Sequence, residues 1–289
     1  MTKMDYIVVG CGLAGIAFCE ELRKNKKSFK VFNDVSQQSS KVAGGLFNPV
    51  VLKRFTAAWK AQELLNIALP FFHELQQYLE LDFIHEVPIY RVFNSVEEQN
   101  NWFEAADKPI LSQLLFPEII KNKNSKVNSG FGLGMVLKTG RIDTNSLIES
   151  YLGKLKNDDA IINETFVYEA LEVNGKSVQY ADIEANHIVF TDGFGLKKNK
   201  FFDCLPLYGS KGEYIVIHAP GLKLDVILKS AVFLIPLGND NYLVGATYDN
   251  QDKTNIPTLD KKQELISKLR KMVSCDFEVT DHIAGIRPT

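Results

Sequence analysis

Gly10-Cys11-Gly12-Leu13-Ala14-Gly15 directly follows the strand-like run Asp5-Tyr6-Ile7-Val8-Val9 and opens an apolar-periodic segment that reads as a helix from Leu13 to about Lys24. A glycine-rich turn between a buried strand and a helix is how a doubly wound α/β sheet binds a dinucleotide. Gly10 permits the tight turn, and Gly12 lets backbone approach a pyrophosphate with no Cβ in the way. Gly15 lets the helix lie close to the strand. The helix start, Leu13 and Ala14 included, presents unpaired N–H groups and a partial positive charge to the phosphates. A second strand, Phe29-Lys30-Val31-Phe32, completes the unit.

The second strand of such a unit ends in an acid that grips a ribose, roughly 20 residues beyond the glycines. This chain offers Asn33 and Asp34 there. Asn33 sits in register but is no carboxylate, although its amide can still bond a ribose hydroxyl. Asp34 is acidic but one residue late. No arginine follows where a 2′-phosphate would need one, which makes NADP the least expected ligand.

Composition fits a globular enzyme: 289 residues, 45% hydrophobic and 24% charged, enough for a sizeable core and two domains. A formal charge of −2 gives no electrostatic case for nucleic acid or a membrane. Cys11, Cys19, Cys204 and Cys275 show no metal-binding or CxxC spacing, so no metal is expected and the chain reads as reduced and cytoplasmic. His73, His85, His187, His218 and His282 have no motif around them.

After the second strand a plain NAD domain would run on as strand, helix, strand. Here a polar loop, Val35 to Ser40, leads into Lys41-Val42-Ala43-Gly44-Gly45-Leu46-Phe47-Asn48-Pro49. A helical stretch follows from Ala57, with a second helix expected to restart at Pro70, where proline suits a first turn. Leu64, Ala68, Phe72, Leu75 and Leu79 recur at helical spacing and are expected in the core. Tyr214–Ile217, Val226–Leu228, Ala231–Ile235 and Asn241–Ala246 are short strand-like runs between turn residues, and Asn174-Gly175 signals a hairpin.

At these residues the chain resembles the D-amino-acid oxidase, glycine oxidase and sarcosine oxidase family of FAD-dependent oxidoreductases. The glycine turn and the Ser-rich loop into Gly44-Gly45-Leu46 carry the likeness. Collinear later motifs extend it: Gly140-Arg141-Ile142-Asp143, His187 to Gly193, Gly209 to Ile215, Phe233 to Gly238, Tyr242 to Thr247, and Ala284 to Pro288. The flavin domain of the enzyme that makes 5-methylaminomethyl-2-thiouridine in tRNA is similar too, around Gly44–Pro49 and Trp59. The resemblance implies FAD as cofactor and an interleaved fold. A Rossmann-like FAD-binding domain would comprise residues 1–80, 141–205 and 282–289, and a strand-rich substrate domain 81–140 and 206–281.

It also implies FAD contacts from Ser40, Ala43, Gly44, Gly45, Leu46, Val167, Thr191 and Gly193, besides the phosphate turn. In this family the flavin performs the difficult step, taking a hydride at N5 from the carbon beside a substrate amine. A guanidinium suits the substrate's carboxylate because its planar fork pairs both oxygens. Arg287 matches the arginine that the family places at the flavin edge, and Arg54 follows the loop expected to pass the ring. Lys211 matches a basic residue with a structural part, and Tyr242 and Tyr248 are candidates for the substrate face. Asp192, where the family has a variable residue before glycine, would repel a pyrophosphate unless its carboxylate points away.

The expectation is an oxidoreductase acting on the C–N bond of a small amine or amino acid, with a homo-oligomer left open and no nucleic-acid partner expected. Two alternatives stay open: wobble-uridine modification of tRNA, and a non-catalytic dinucleotide-binding protein. The family continues past the Arg-Pro motif, whereas this chain ends at Thr289. The expectation is therefore an open flavin pocket that holds FAD weakly, and an unpaired sheet edge or apolar face next to residues 5–9 and 187–193.

Overall fold

The computed structural model describes residues 1–34 and 36–289, and Val35, at the start of the polar loop, lies outside them. β1 (Thr2–Val9) runs into α1 (Leu13–Lys24) and then β2 (Phe29–Phe32). They belong to a six-stranded sheet in the order Ile161–Ile162, β2, β1, Ile183–Phe190, Ser177–Tyr180, Glu172–Asn174. The first four strands are parallel and the last two antiparallel. The Asn174-Gly175 hairpin lies at the far edge, with Gly175 in the left-handed region at φ +62°.

β1 pairs on both sides, so residues 5–9 form no free edge. The neighbouring strand differs. Its antiparallel partner reaches only Ala185, and among the described residues His187–Phe190 pairs on one side only, with β1. Phe190 there packs against Phe201 and Phe202.

A seven-stranded sheet forms the second body, in the order Glu278–Pro288, Gly209–His218, Asn241–Gly245, Phe233–Gly238, Ile227–Lys229, Ile89–Val92, Leu133–Val136. One face carries Ile215, Ile217, Leu234 and Val244 against Leu265 and Leu269 of the helix Leu259–Arg270. The other carries Ile89, Ile227, Ile235 and Leu243, with Tyr214 and Phe233, against Val50, Leu52, Phe55 and Trp102. Of residues 282–289, expected in the FAD domain, 282–288 pair in this second sheet. Glu278–Pro288 pairs along its length with Gly209–His218, from His218↔Glu278 to Gly209↔Pro288. The alternation Ile283, Gly285, Arg287 matches the sheet's inner face, so pairing rather than chain order decides where the segment lies.

The two helices expected from 57 to 79 are one helix, Ala61–Leu79, with Pro70 inside it. Proline removes one N–H from the ladder. Both Pro70 and Asn66, whose carbonyl loses that bond, are exposed, so the carbonyl is open to solvent. Phe71, Phe72, Leu75, Tyr78 and Leu79 hold the second half against the α1 core. Leu64 is 49% exposed and not core, because the buried stripe belongs to that half alone.

A charged cluster ties the loop 249–258 to the strand Gly209–His218. Lys211 is fully buried, and its ammonium lies 2.6 Å from Asp252 and 3.2 Å from Glu213 and also bonds the Ile256 carbonyl. Glu213 accepts from the Thr258 N–H at 2.9 Å and hydroxyl at 3.0 Å. His282 Nε2 lies 2.8 Å from Glu213 but off the line of a hydrogen bond. Burial alone would push the Lys211 ammonium down, yet its bonds to Asp252 and Glu213 hold it above its ordinary value.

Glu213→Gln leaves a buried lysine with Asp252 alone to neutralise it. It should cost about 3 kcal/mol, the low end of the range for a broken buried pair, read as a lower urea midpoint at constant m-value. Asp252 is held down to about 2, chiefly by the Lys211 bond and then by Thr254, from an ordinary 3.8. A carboxylate depressed in the folded state contributes stability that is complete above its unfolded value and is lost as pH falls through its folded one. Asp252→Asn should therefore flatten the loss of stability between pH 3.8 and about 2. An acid limb equally steep in the variant would remove Asp252 from the cluster's electrostatics.

Candidate functional site

The phosphate turn is built by close backbone approach. An ideal Cβ on Gly10 would lie 2.7 Å from the Thr191 carbonyl oxygen, and one on Gly15 would lie 2.4 Å from the Gly10 carbonyl oxygen. Gly10 itself has φ +93°, which glycine alone adopts readily. The Thr191 hydroxyl donates to the carbonyls of Val9 at 3.0 Å and Gly10 at 2.8 Å, closing the turn onto the neighbouring strand. Gly12 differs. Its Cβ would meet only the Ser40 hydroxyl, at 3.1 Å and 3.8 Å from its oxygen and carbon, and otherwise enters open space.

Gly12 is the helix N-cap, and α1 has no side-chain cap and no acid in its first turn. The first bond into the helix runs from the Ile16 N–H to the Gly12 carbonyl, so the amides of Leu13, Ala14 and Gly15 lack helical partners. Ser40 Oγ stands 3.5 Å from the Leu13 nitrogen. An uncapped helix start of this kind favours an anion.

The turn opens on a cavity of about 710 Å3 lined by Gly10, Gly12, Asn33, Asp34, Ser40, Thr191 and Gly193, with Phe166, Tyr168 and Lys198 opposite. It lies at the carboxyl ends of the parallel strands, where doubly wound sheets bind ligands. A second concavity of about 660 Å3 opens at the other end of the same sheet, beside Thr2, Lys27 and Asp182; that end carries no glycine turn and no helix start.

Asn33 Oδ1 accepts the Cys11 N–H at 3.0 Å, so the residue in register for the ribose acid braces the turn itself. Asp34 accepts from the Ser36 N–H at 3.0 Å and hydroxyl at 2.6 Å. Partial burial would raise its carboxyl, but the bonds from Ser36 and Thr165 hold it below the usual range. Asp192 is tied off: its Oδ2 accepts from Tyr168 at 2.9 Å and Asn199 at 3.1 Å. Burial, then the Asp192 charge, raises the Tyr168 phenol. The Cys11 thiol is pushed up to about 12 by burial and stays protonated. Val167 does not line the cavity; its neighbours Phe166 and Tyr168 do, and its N–H is given to the Tyr180 hydroxyl at 3.0 Å.

Ala43, Gly44, Gly45 and Leu46 follow Lys41 in the chain but do not line this cavity. Gly45 has φ +66°, and its Cβ would lie 1.9 Å from the Ile142 oxygen. Leu46 pairs with Arg141, and the Ala43 carbonyl is 3.5 Å from the Thr144 hydroxyl. Gly44 faces Ile235 and the Tyr214 hydroxyl, at 3.0 Å and 3.5 Å from its ideal Cβ. The Gly44-Gly45 segment and the second sheet's inner face therefore meet here.

Arg287 stands on that inner face. Its Nη2 donates to the Thr247 carbonyl at 3.0 Å, and the guanidinium lies 4.2 Å from the centre of the Tyr248 ring. An ideal Cβ on Gly212 would be 2.9 Å from Nη2, so that glycine makes room for the arginine. Burial raises the Tyr214 phenol against the opposing pull of the Arg287 charge. Arg54 is elsewhere, exposed in the turn after Val51. Tyr242 is core on the opposite face, its hydroxyl accepting the Leu224 N–H at 3.1 Å.

The family model for FAD-dependent oxidoreductases, DAO, matches residues 5–289. The chain belongs to that family. FAD is accordingly the cofactor of this oxidoreductase, and the capless helix start, the open side of Gly12 and the cavity beside it fit a dinucleotide. Solved structures agree on the fold. Glycine oxidase from Geobacillus kaustophilus superposes with a TM-score of 0.79 at 17% identity, covering 100% of this chain and 84% of that one. Iminodiacetate oxidase from Chelativorans sp. BNC1 gives 0.78 at 14%, covering 98% and 83%. L-α-glycerophosphate oxidase from Mycoplasma pneumoniae, dithionite-reduced with FAD bound, gives 0.74 at 18%, covering 100% and 84%.

Sequence reasoning missed Gly212, Tyr214 and Thr247 around Arg287. The alternation of Gly212 and Tyr214 was a usable signal, since residues two apart in a strand share a face. It also missed that Asn33 braces the oxidoreductase's own turn, which no spacing rule expresses.

The two kinds of glycine should separate by mutation. Gly12→Val adds bulk to open cavity, so the variant should fold and lose FAD affinity by about 10- to 100-fold, the size of a typical overpacking cost. Gly15→Ala strikes backbone and should lower the melting temperature even of the apoprotein. FAD titration and thermal unfolding of both variants check this, and wild-type affinity in Gly12→Val would make the turn merely structural.

Proposed function

We propose that the protein oxidises the C–N bond of a small amine or amino acid, with Arg287 binding the substrate's carboxylate. The supporting observation is the state of Arg287. Its Nε is buried and has no hydrogen-bond partner among the described residues. A buried donor left unsatisfied costs free energy, and a carboxylate laid along the guanidinium edge would supply the acceptor. Thr247 and Tyr248 hold the fork from one side, which fixes its direction before substrate arrives.

Bound in the cavity, FAD would supply the two-electron acceptor. The chain's own residues do the rest by placement. Gly44 and Tyr214 bring the flavin loop and the substrate sheet within van der Waals contact, so a substrate held at Arg287 would meet the cofactor at this seam. The two electrons would leave the carbon beside the amine as a hydride, with a proton lost from the nitrogen, and the resulting imine would take up water to give a carbonyl compound and an amine or ammonia.

The test is anaerobic mixing of the FAD-loaded protein with amino acids, secondary amines and 2-hydroxy acids, following loss of the flavin's visible absorbance. Amines and amino acids should bleach it and hydroxy acids should not. Arg287→Ala should lower kcat/KM by about 30- to 1000-fold, the equivalent of roughly 2–4 kcal/mol for a truncated charge pair. Arg287→Lys keeps the charge but loses the fork and should also be impaired. Wild-type reduction kinetics in Arg287→Ala would remove it from the site. Gly212→Ala should raise KM with little change in stability, because the added methyl displaces a flexible guanidinium rather than backbone.

A further inference from the structure

Residues 51–67 form a surface that neither core explains. Leu52 and Phe55 are buried, with Phe55 packed edge-on to Trp102 at 5.3 Å. That anchorage presents the tip between them, Lys53 and Arg54, to solvent. Phe55 and Lys60 both take left-handed backbone, φ +48° and +49°. Side-chain-bearing residues adopt that conformation only where the surroundings enforce it.

Lys60 caps the long helix and starts a stripe that continues as Leu64 and Ile67, spaced to lie on one face. Leu64 and Ile67 are 49% and 66% exposed, and Trp59 beside them is 78% exposed. Val51 adds a further exposed apolar side chain. Nothing from Ala61 to Pro70 is buried. The charge here opposes that of the chain. Residues 51–67 carry three cations, Lys53, Arg54 and Lys60, and one carboxylate, Glu63, which pairs with Lys60 at 3.3 Å, while the whole chain carries −2. Lys138 adds a cation through its 3.3 Å bond to Gln62.

We infer that this face docks on an anionic lipid surface, with Trp59, Leu64 and Ile67 entering the headgroup boundary and Lys53, Arg54, Lys60 and Lys138 meeting lipid phosphates. Exposed tryptophan and aliphatic side chains rimmed by lysine and arginine are the composition of helices that lie in a membrane interface. A second copy is the poorer occupant. A two-fold interface sets each patch against itself, which would bring Lys53, Arg54 and Lys60 against their own kind. No helix among the described residues is long and apolar enough to cross a membrane, so the contact is peripheral. The overall charge gave no hint of it, because a local patch is invisible in a sum.

The FAD-loaded full chain should cosediment with vesicles of mixed phosphatidylglycerol and phosphatidylcholine. It should not do so with phosphatidylcholine alone, and salt should weaken the binding. Trp59 emission should shift to the blue, while Trp102, fully buried, stays constant. Leu64→Glu/Ile67→Glu replaces two exposed residues, so it should keep its fold and bound FAD. Vesicle affinity should fall by about tenfold or more. Failure of the wild type to bind phosphatidylglycerol vesicles overturns the inference, as does undiminished binding by the double variant. So does a dimer, seen by light scattering, that ignores vesicles and that the double variant dissolves.

Discussion

The structure depends on how closely three backbone segments meet at the top of β1. Gly10, Gly15 and Thr191 stand so near one another that a Cβ on either glycine would overlap a carbonyl oxygen. The Thr191 hydroxyl then locks the turn to the neighbouring strand through two bonds. This contact orients α1, and α1 in turn brings Ile16, Cys19 and Leu22 onto Leu147, Ile148 and Tyr151 of the helix Thr144–Asn157. It also leaves helical amides unpaired at the mouth of the cavity. One steric requirement therefore serves both packing and anion binding, which is why Gly12, the glycine free of it, is the one open to ligand.

Burial of charge follows a rule in both bodies: each buried carboxylate is tied before it can act on a neighbour. Glu20 in α1 is held by Arg23 at 2.7 Å and Tyr151 at 2.9 Å, Asp192 by Tyr168 and Asn199, and Glu213 by Lys211 and Thr258. Leaving any of them unpaired would be costly. The effect at the cavity is specific. With Oδ2 taken up by two donors, Asp192 can stand beside a phosphate site with much of its hydrogen-bonding capacity already spent. The repulsion expected from its position in the sequence is reduced by its partners.

What was legible in the sequence is what local physics controls. α1 and β2 fall at their expected residues, and β1 ends at Val9 as expected but begins at Thr2 rather than Asp5, because a buried strand, a glycine turn and an apolar stripe leave one reading. The Asn174-Gly175 hairpin and the short strands from 209 to 245 follow from turn residues and β-branched runs. Helix Ala61–Leu79 was misread at Pro70, because proline's cost depends on whether the freed carbonyl meets water, which tertiary structure decides. The last strand's place in the second sheet was not legible because its pairing with Gly209–His218 joins residues far apart in the chain. At the site, the close-packed glycine turn was readable, but Asn33 bonding Cys11 and Gly212 yielding to Arg287 are contacts between residues far apart in the chain, which the spacing around either residue alone does not express.

The loop 249–258 joins these parts. Asp249 exchanges both backbone bonds with Lys211, at 2.7 and 2.9 Å, and Asp252 and Thr258 close on Lys211 and Glu213. Tyr248, at the start of the loop, lies on Arg287, and the Thr247 carbonyl just before it takes that guanidinium's bond. Further along, Asn255 Nδ2 donates to the Ser36 carbonyl at 3.1 Å, and Ser36 bonds Asp34 in the cavity wall. The buried lysine thus anchors a segment whose one end shapes the arginine and whose other end braces the nucleotide loop. Because every link is a direct bond or ring contact, the spacing between the cavity and Arg287 is set by the chain's own interior. The fully buried lysine has its physical reason there: its charge satisfies Asp252, Glu213 and the Ile256 carbonyl at once and so holds the loop that follows Tyr248.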